Sequence, residues 1–299
     1  MEQPVEVLGQ VALARPRRAP LSWAWVGVVP FFAFALLFLL VPTFYLVVGA
    51  FQDDAGRWTL ANIGALFQPE VMSAYAISLE ISAASALIGA ALGFMLAWAV
   101  VLGNLPGWLR PTLMTFSGVA SNFAGIPLAF AFLATLGRMG LVTLLLQDAF
   151  GFSLYRAGFN VLSFSGLTLA YLYFQIPLMV LIIAPALDGL KREWREAATI
   201  LGASPFGYWR RVVLPILWPS LLGTTLLLFA NAFGAIATAY GLTGSTLNLV
   251  TILLYAQIRG DVLHNPNLGY ALALGMVVIT GLSNAAYIIL RTRSERWLR

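Results

Sequence analysis

Apolar residues in this chain do not alternate with polar ones; they run in long blocks separated by short polar stretches. Six blocks, at 26–50, 74–102, 112–136, 161–187, 215–243 and 268–290, each exceed 20 residues. A helix of about 20 apolar residues, rising about 1.5 Å per residue, crosses a hydrocarbon core of about 30 Å. A helix apolar on every side is stable only where no side meets water. The pattern therefore predicts an all-α fold, a polytopic membrane bundle of six transmembrane helices. Two more apolar runs, Leu141–Leu146 and Leu249–Ile258, are too short to cross and read as interfacial or re-entrant. Gly, Ala, Ser and Thr within the spans suit close helix packing, and Pro127, Pro177 and Pro185 read either as kinks and hinges or as ordinary membrane prolines. The first block follows Arg15, Arg17 and Arg18 as a signal peptide would, but it is far longer than an apolar core of about 7–15 residues. It is expected to stay as a first helix.

Composition agrees: 60% of residues are hydrophobic and 10% charged, against about 25% charged in soluble domains. Charge placement predicts the orientation. With the N-terminus inside, Arg15, Arg17, Arg18, Arg110, Lys191, Arg192, Arg195, Arg210, Arg211, Arg291, Arg293, Arg296 and Arg299 collect on the cytoplasmic side. Only Arg57, Arg138, Arg156 and Arg259 fall on the other. By the positive-inside rule both termini are cytoplasmic, and the net charge of +5 reflects topology rather than nucleic-acid binding.

Several chemistries are missing. There is no cysteine, so thiolate ligands and thiol catalysis drop out. Lys191 is the sole lysine and is followed by Arg192 after Asp188-Gly189-Leu190, which is no phosphate loop. His264, the sole histidine, sits beside Asp261 between the fifth and sixth spans, a poor start for a metal site and better read as a solvated loop residue. No serine has an evident partner base in the spans. No catalytic residue, metal or cofactor of its own is expected, which disfavours an intramembrane enzyme.

The segment 188–214 is the long charged stretch between two spans. Leu190, Trp194, Ala197, Ala198 and Leu201 share one helical face, while Arg192 and Glu196, four apart, can pair. Gly202 stands where a helix end takes a left-handed residue, Ser204 is an N-cap, and Pro205 suits a first helical position. Two short helices about a tight turn follow, the second running to Pro215. On these residues alone two readings stand: a hairpin on the bilayer surface with Trp194 and Trp209 at the headgroups, or a projecting handle for a partner.

Glu196-Ala197-Ala198, three residues, Gly202, nine residues, Val212, one residue, then Leu214-Pro215 resembles the EAA signature of binding-protein-dependent ABC importer permeases. Val212 stands where that family usually has Ile. The likeness covers roughly 74–290, with the first helix in front. It implies that the hairpin is a coupling helix docked on a separate ATPase. Glu196 would anchor it, Ala197 and Ala198 allow close approach, Gly202 permit the turn, and Leu214 and Pro215 set the joint into the fifth helix. It further implies two ATP-binding subunits, which carry the ATP, a second permease (identical or homologous), a substrate-binding protein, and a bacterial-type inner membrane.

The expected organisation is a cytoplasmic segment 1–25, a first helix and periplasmic loop 26–73, a permease domain 74–290, and a cytoplasmic tail 291–299. Within the spans Glu80 is the acidic residue, about 9 Å from Ala74. Its readings are a path-facing carboxylate, a partner of Arg138, or a side chain reaching the outer surface. Asn231, among Phe229, Ala230, Ala232 and Phe233, either lines the conduit or bonds across helices. The resemblance implies that the outer loops 137–160 and 244–267 receive the binding protein, and that the solute is a polyamine, ferric iron, an oxyanion or a phosphonate. The competing function is a stand-alone secondary transporter or channel.

Overall fold

The structure, a computed structural model, describes residues 24–103, 105–259 and 265–295. His264 and Asp261, and the terminal arginines 15, 17, 18, 296 and 299, lie outside them. Six helical stretches are long and apolar enough to cross a membrane. The described residues contain a single isolated antiparallel bridge, Gln52 to Trp58, and are otherwise helices and turns.

The chain divides into two compact units between Leu46 and Val47. Helix α1, Val26–Gly49, begins in the first. Its side chains from Val26 to Tyr45 are nearly all exposed and nearly all apolar, the surface of a helix solvated by lipid.

The second unit is built on α2 (Pro69–Leu102) and α6 (Phe164–Asp188). The buried face of α2 is made of small residues, including Ser78, Ser82, Ser85, Ala86, Gly89, Gly93 and Ala97. They let α6 approach closely: a Cβ on Gly93 would lie 2.5 Å from that of Met179. α3 (Leu109–Asn122) also packs on α6, and α8 (Pro205–Phe233) packs on both α2 and α11 (Pro266–Glu295). Met179, Val180, Ile183, Leu217 and Leu228 fill the core between α2, α6 and α8. Within it the Gln175 amide donates to Ser85 Oγ at 2.7 Å, a buried bond between α2 and α6.

The third and fifth spans depart from expectation. Neither 112–136 nor 215–243 is one helix. The third breaks at Phe123–Gly125, between α3 and α4 (Ile126–Leu136), because Gly125 adopts φ +78°, a conformation that ends a right-handed helix. The third apolar stretch accordingly runs over Ile126–Phe150, with α5 (Leu141–Phe150) joined to α4 by a turn at Gly137–Gly140. The fifth span breaks at Gly234–Ala235, before α9 (Ile236–Thr243). Pro127 therefore opens α4 and kinks nothing, whereas Pro177 and Pro185 lie inside an unbroken α6. The short run near 249–258 forms α10 (Val250–Arg259).

Prolines act elsewhere. One π-helical turn, Leu36–Leu40, precedes Pro42, and another, Trp209–Val213, precedes Pro215. In each, the residue before the proline donates five residues back: Val41 to the Leu36 carbonyl and Leu214 to that of Trp209. The pyrrolidine ring removes one ladder donor and crowds the carbonyl four residues back, and a widened turn relieves both. α8 is consequently continuous from Pro205 to Phe233, where the sequence predicts a separate helix ending at Pro215.

Candidate functional site

α7 (Arg192–Ile200) and the start of α8 form the hairpin, and its turn is built as the residues dictate. Gly202 has φ +76°. Its N–H donates to the Thr199 carbonyl at 2.9 Å, and that of Ala203 to the Ala198 carbonyl at 2.9 Å. These two bonds are the Schellman arrangement, which satisfies carbonyls that a helix end leaves open. Ser204 Oγ accepts from the Gly207 N–H at 3.1 Å and caps α8, with Pro205 first in the helix. Arg192 Nε lies 3.0 Å from Glu196 Oε1, an exposed pair that adds only tenths of a kcal/mol.

The apolar face differs from expectation. Leu190 precedes the helix, and Trp194 and Ala198 are half-buried. Leu201 is the C-cap and is 86% exposed, as is Ile200; Phe206 across the turn is 74% exposed. Ala197, Glu196 and Gly202 are exposed beside them. The hairpin thus ends in an apolar tip that none of the described residues covers.

Its root is fixed. Leu187, at the end of α6, is fully buried, as are Val213 and Leu217 of α8. Trp209 stacks edge-on against Trp98 of α2, ring centroids 5.6 Å apart. Arg110 of α3 meets Asp188 at 2.6 Å, directly before the hairpin. Leu214 and Pro215, expected to set this joint, point outward, Leu214 being 37% exposed; Val213 and Leu217 hold it. The i, i+4 spacing of Val213 and Leu217 was readable; the Arg110–Asp188 pair spans 78 residues and was not.

A second feature lies where the two broken spans meet. A cavity of about 430 Å³ is lined by the ends of both breaks, with Ser121, Gly125, Phe174, Asn231, Gly234 and Thr238 among its walls. The Gly125 N–H donates to Thr238 Oγ1 at 2.7 Å, and Tyr171 Oη donates to the Ala235 carbonyl at 2.9 Å. Backbone released from a helix at membrane depth needs such partners or a polar cavity. Asn231 is exposed to this space, and no carboxylate lines it.

Glu80 is elsewhere. It is exposed on α2, does not line that cavity, and has no hydrogen-bond or ionic partner among the described residues. Arg138 instead lies over the Tyr155 ring, 5.5 Å from its centroid. Because α2 starts at Pro69, Glu80 stands about 16 Å from that end and about 27 Å from Trp98. No three His, Asp or Glu side chains come together as a metal site among the described residues.

Comparison with known proteins agrees with this architecture. Residues 89–299 match the family described as "Binding-protein-dependent transport system inner membrane component". The chain is 29% identical over 228 residues to a probable sulfate transport system permease protein of Nephroselmis olivacea, covering 75% of this chain and 73% of that one. It is 28% identical over 251 residues to a molybdenum transport system permease protein of Mycobacterium bovis, covering 83% and 87%. Among solved structures, a bacterial ABC transporter involved in import of the acidic polysaccharide alginate superposes with a TM-score of 0.64 at 17% identity, over 91% of this chain and 95% of that one. The chain belongs to this family of inner-membrane components and is a permease subunit of an ABC importer.

Proposed function

We propose that the hairpin 188–214 is the site through which this permease is driven by a separate ATP-hydrolysing subunit, and that its solute is a small tetrahedral oxyanion. The observation that carries the coupling reading is the capped turn with Ile200, Leu201 and Phe206 exposed on a buried root. Covering an apolar tip of that kind is favourable, since burying one such side chain contributes about 1.5–3 kcal/mol. Glu196, Ala197, Ala198 and Gly202 flank the tip and form the rest of the docking face. The engine then contains two ATP-binding subunits, a second permease, and a binding protein on the opposite side. Both termini of this chain are cytoplasmic, in an inner membrane, and the chain hydrolyses no ATP itself.

The oxyanion reading rests on the sulfate and molybdenum permeases among its relatives and on the cavity at the two breaks. Its wall offers the Asn231 amide, with no carboxylate to repel an anion. The test is uptake of labelled sulfate and molybdate by vesicles containing the reconstituted importer. ATP-dependent uptake of one of them, reduced at least tenfold by Asn231→Leu, is the expected result. Uptake without ATP favours a stand-alone transporter, and ATP-dependent transport of a cation alone removes the oxyanion.

A further inference from the structure

Behind the hairpin, away from its tip, lies a groove of about 610 Å³ between α7, the start of α8 and the last turns of α2. Its wall carries Lys191, Arg192 and Arg195, and no acidic side chain lines it. Arg192 is compensated from outside by Glu196. Lys191 has only the Trp194 ring, 6.0 Å from its ammonium, and Arg195 meets no carboxylate among the described residues. The groove therefore holds close to two unbalanced positive charges. Apart from Thr199, the rest of its lining is apolar or aromatic, including Leu102, Val213, Trp98 and Trp209.

Its position selects the ligand. Trp98 and Leu102 belong to α2, and on the same face, at helical spacing, stand Ala91 and Leu87, with Met95 between. All three are exposed, Met95 by 59% and Leu87 by 63%. From Leu87 to Leu102 this apolar track is about 22 Å long, more than one leaflet of a core about 30 Å thick. It starts in hydrocarbon and ends among cations. A soluble anion such as free phosphate or a nucleotide has no use for it; an acyl chain carrying a phosphate does.

We infer that this groove binds one anionic phospholipid of the leaflet on the hairpin side, its phosphate between Lys191 and Arg195 and an acyl chain along Leu87–Leu102. The hairpin root is then packed partly on lipid, so anionic lipid becomes a structural element of the handle. The hairpin tip stays free, because Ile200, Leu201 and Phe206 do not line the groove.

The experiment is native mass spectrometry of the purified full chain, titrated with phosphatidylglycerol or phosphatidylcholine. The wild type is expected to retain one phosphatidylglycerol preferentially. Lys191→Gln/Arg195→Gln should weaken that retention on the order of 30-fold, at about fivefold per cation at a membrane surface. The control Arg210→Gln/Arg211→Gln removes equal charge from exposed positions outside the groove and should leave it unchanged. Equal loss in both variants, or equal retention of both lipids by the wild type, overturns the proposal. Displacement of phosphatidylglycerol by millimolar inorganic phosphate assigns the groove to a free anion and overturns it too. If the groove variant unfolds, Arg195→Gln alone, with an expected fivefold loss, replaces it.

Discussion

Gly202 separates folding from docking, because the structure prices the two differently. At φ +76° an L-residue other than glycine is strained by about 1–2 kcal/mol, less for Asp, which visits this region more readily. Nothing lies within 4 Å of an added Cβ, so no steric cost follows inside the chain. The two bonds of the turn, from Gly202 and Ala203, come from backbone and survive any side chain. Gly202→Ala and Gly202→Asp should therefore insert normally and melt within a few degrees of wild type, Ala no better than Asp. On the proposed docking face the order inverts. A methyl there loosens the fit, whereas a carboxylate buried against a partner without a counter-charge costs several kcal/mol. ATP-driven uptake should fall less than tenfold for Ala and more than 100-fold for Asp, with the ATPase lost on purification only from the Asp variant. Near-normal uptake by Gly202→Asp refutes the coupling assignment. Equal losses in both variants, matched by equal falls in melting temperature, show that the glycine serves the turn alone.

Two further outcomes test how the hairpin and the core are held. Asp188→Asn removes the charge partner of Arg110 at a half-exposed site, so global stability should change by only about 0.5–1 kcal/mol; amide exchange over 188–194 should nevertheless accelerate severalfold, and unchanged exchange would mean that the pair does not anchor the root. Gln175 is fully buried with Oε1 unbonded, while Ser85 also donates to the Ser82 carbonyl; Gln175→Leu should leave the melting temperature unchanged or raise it by the equivalent of about 1 kcal/mol, and a clear drop would show that the bond to Ser85 outweighs the orphaned oxygen.

Much of the fold was legible because membrane spans are defined by a one-dimensional property, the length of an apolar block. The hairpin turn was legible for a different reason: Gly202, Ser204 and Pro205 are each specified by local backbone needs, and all three stand where those needs predict. The breaks at Phe123–Gly125 and Gly234–Ala235 were not, since both fall inside stretches apolar enough to read as one span. Gly125 supplies the local half of the first break, and at both a distant residue, Thr238 or Tyr171, satisfies exposed backbone. The same limit hid which residues are buried at the hairpin root. Val213 and Leu214 look equally apolar in sequence, and the π turn before Pro215 decides which of them faces the core.

The proposed handle and the proposed path are parts of one helix. α8 starts at the hairpin turn, passes the buried joint at Val213 and Leu217, and ends at Phe233, two residues past Asn231. Its 29 residues make one helical stretch about 43 Å long between the docking tip and the cavity wall, with the π turn at Trp209–Val213 and Pro219 inside it. A displacement of the tip is not absorbed by a loop at the root, because Leu187, Trp98 and the Arg110–Asp188 pair pack that end against three other helices. Transmitted along the helix, it would arrive at Gly234–Ala235, where α8 ends. There two bonds from outside the helix, Tyr171 to Ala235 and Gly125 to Thr238, fix the next segment, and the second ties it to the other broken span. Interchange between two discrete packings needs such a seam, since close-packed helices slide or swivel as units and do not deform continuously. If the hairpin is driven as proposed, the discontinuities in the third and fifth spans are where its displacement would reach the cavity.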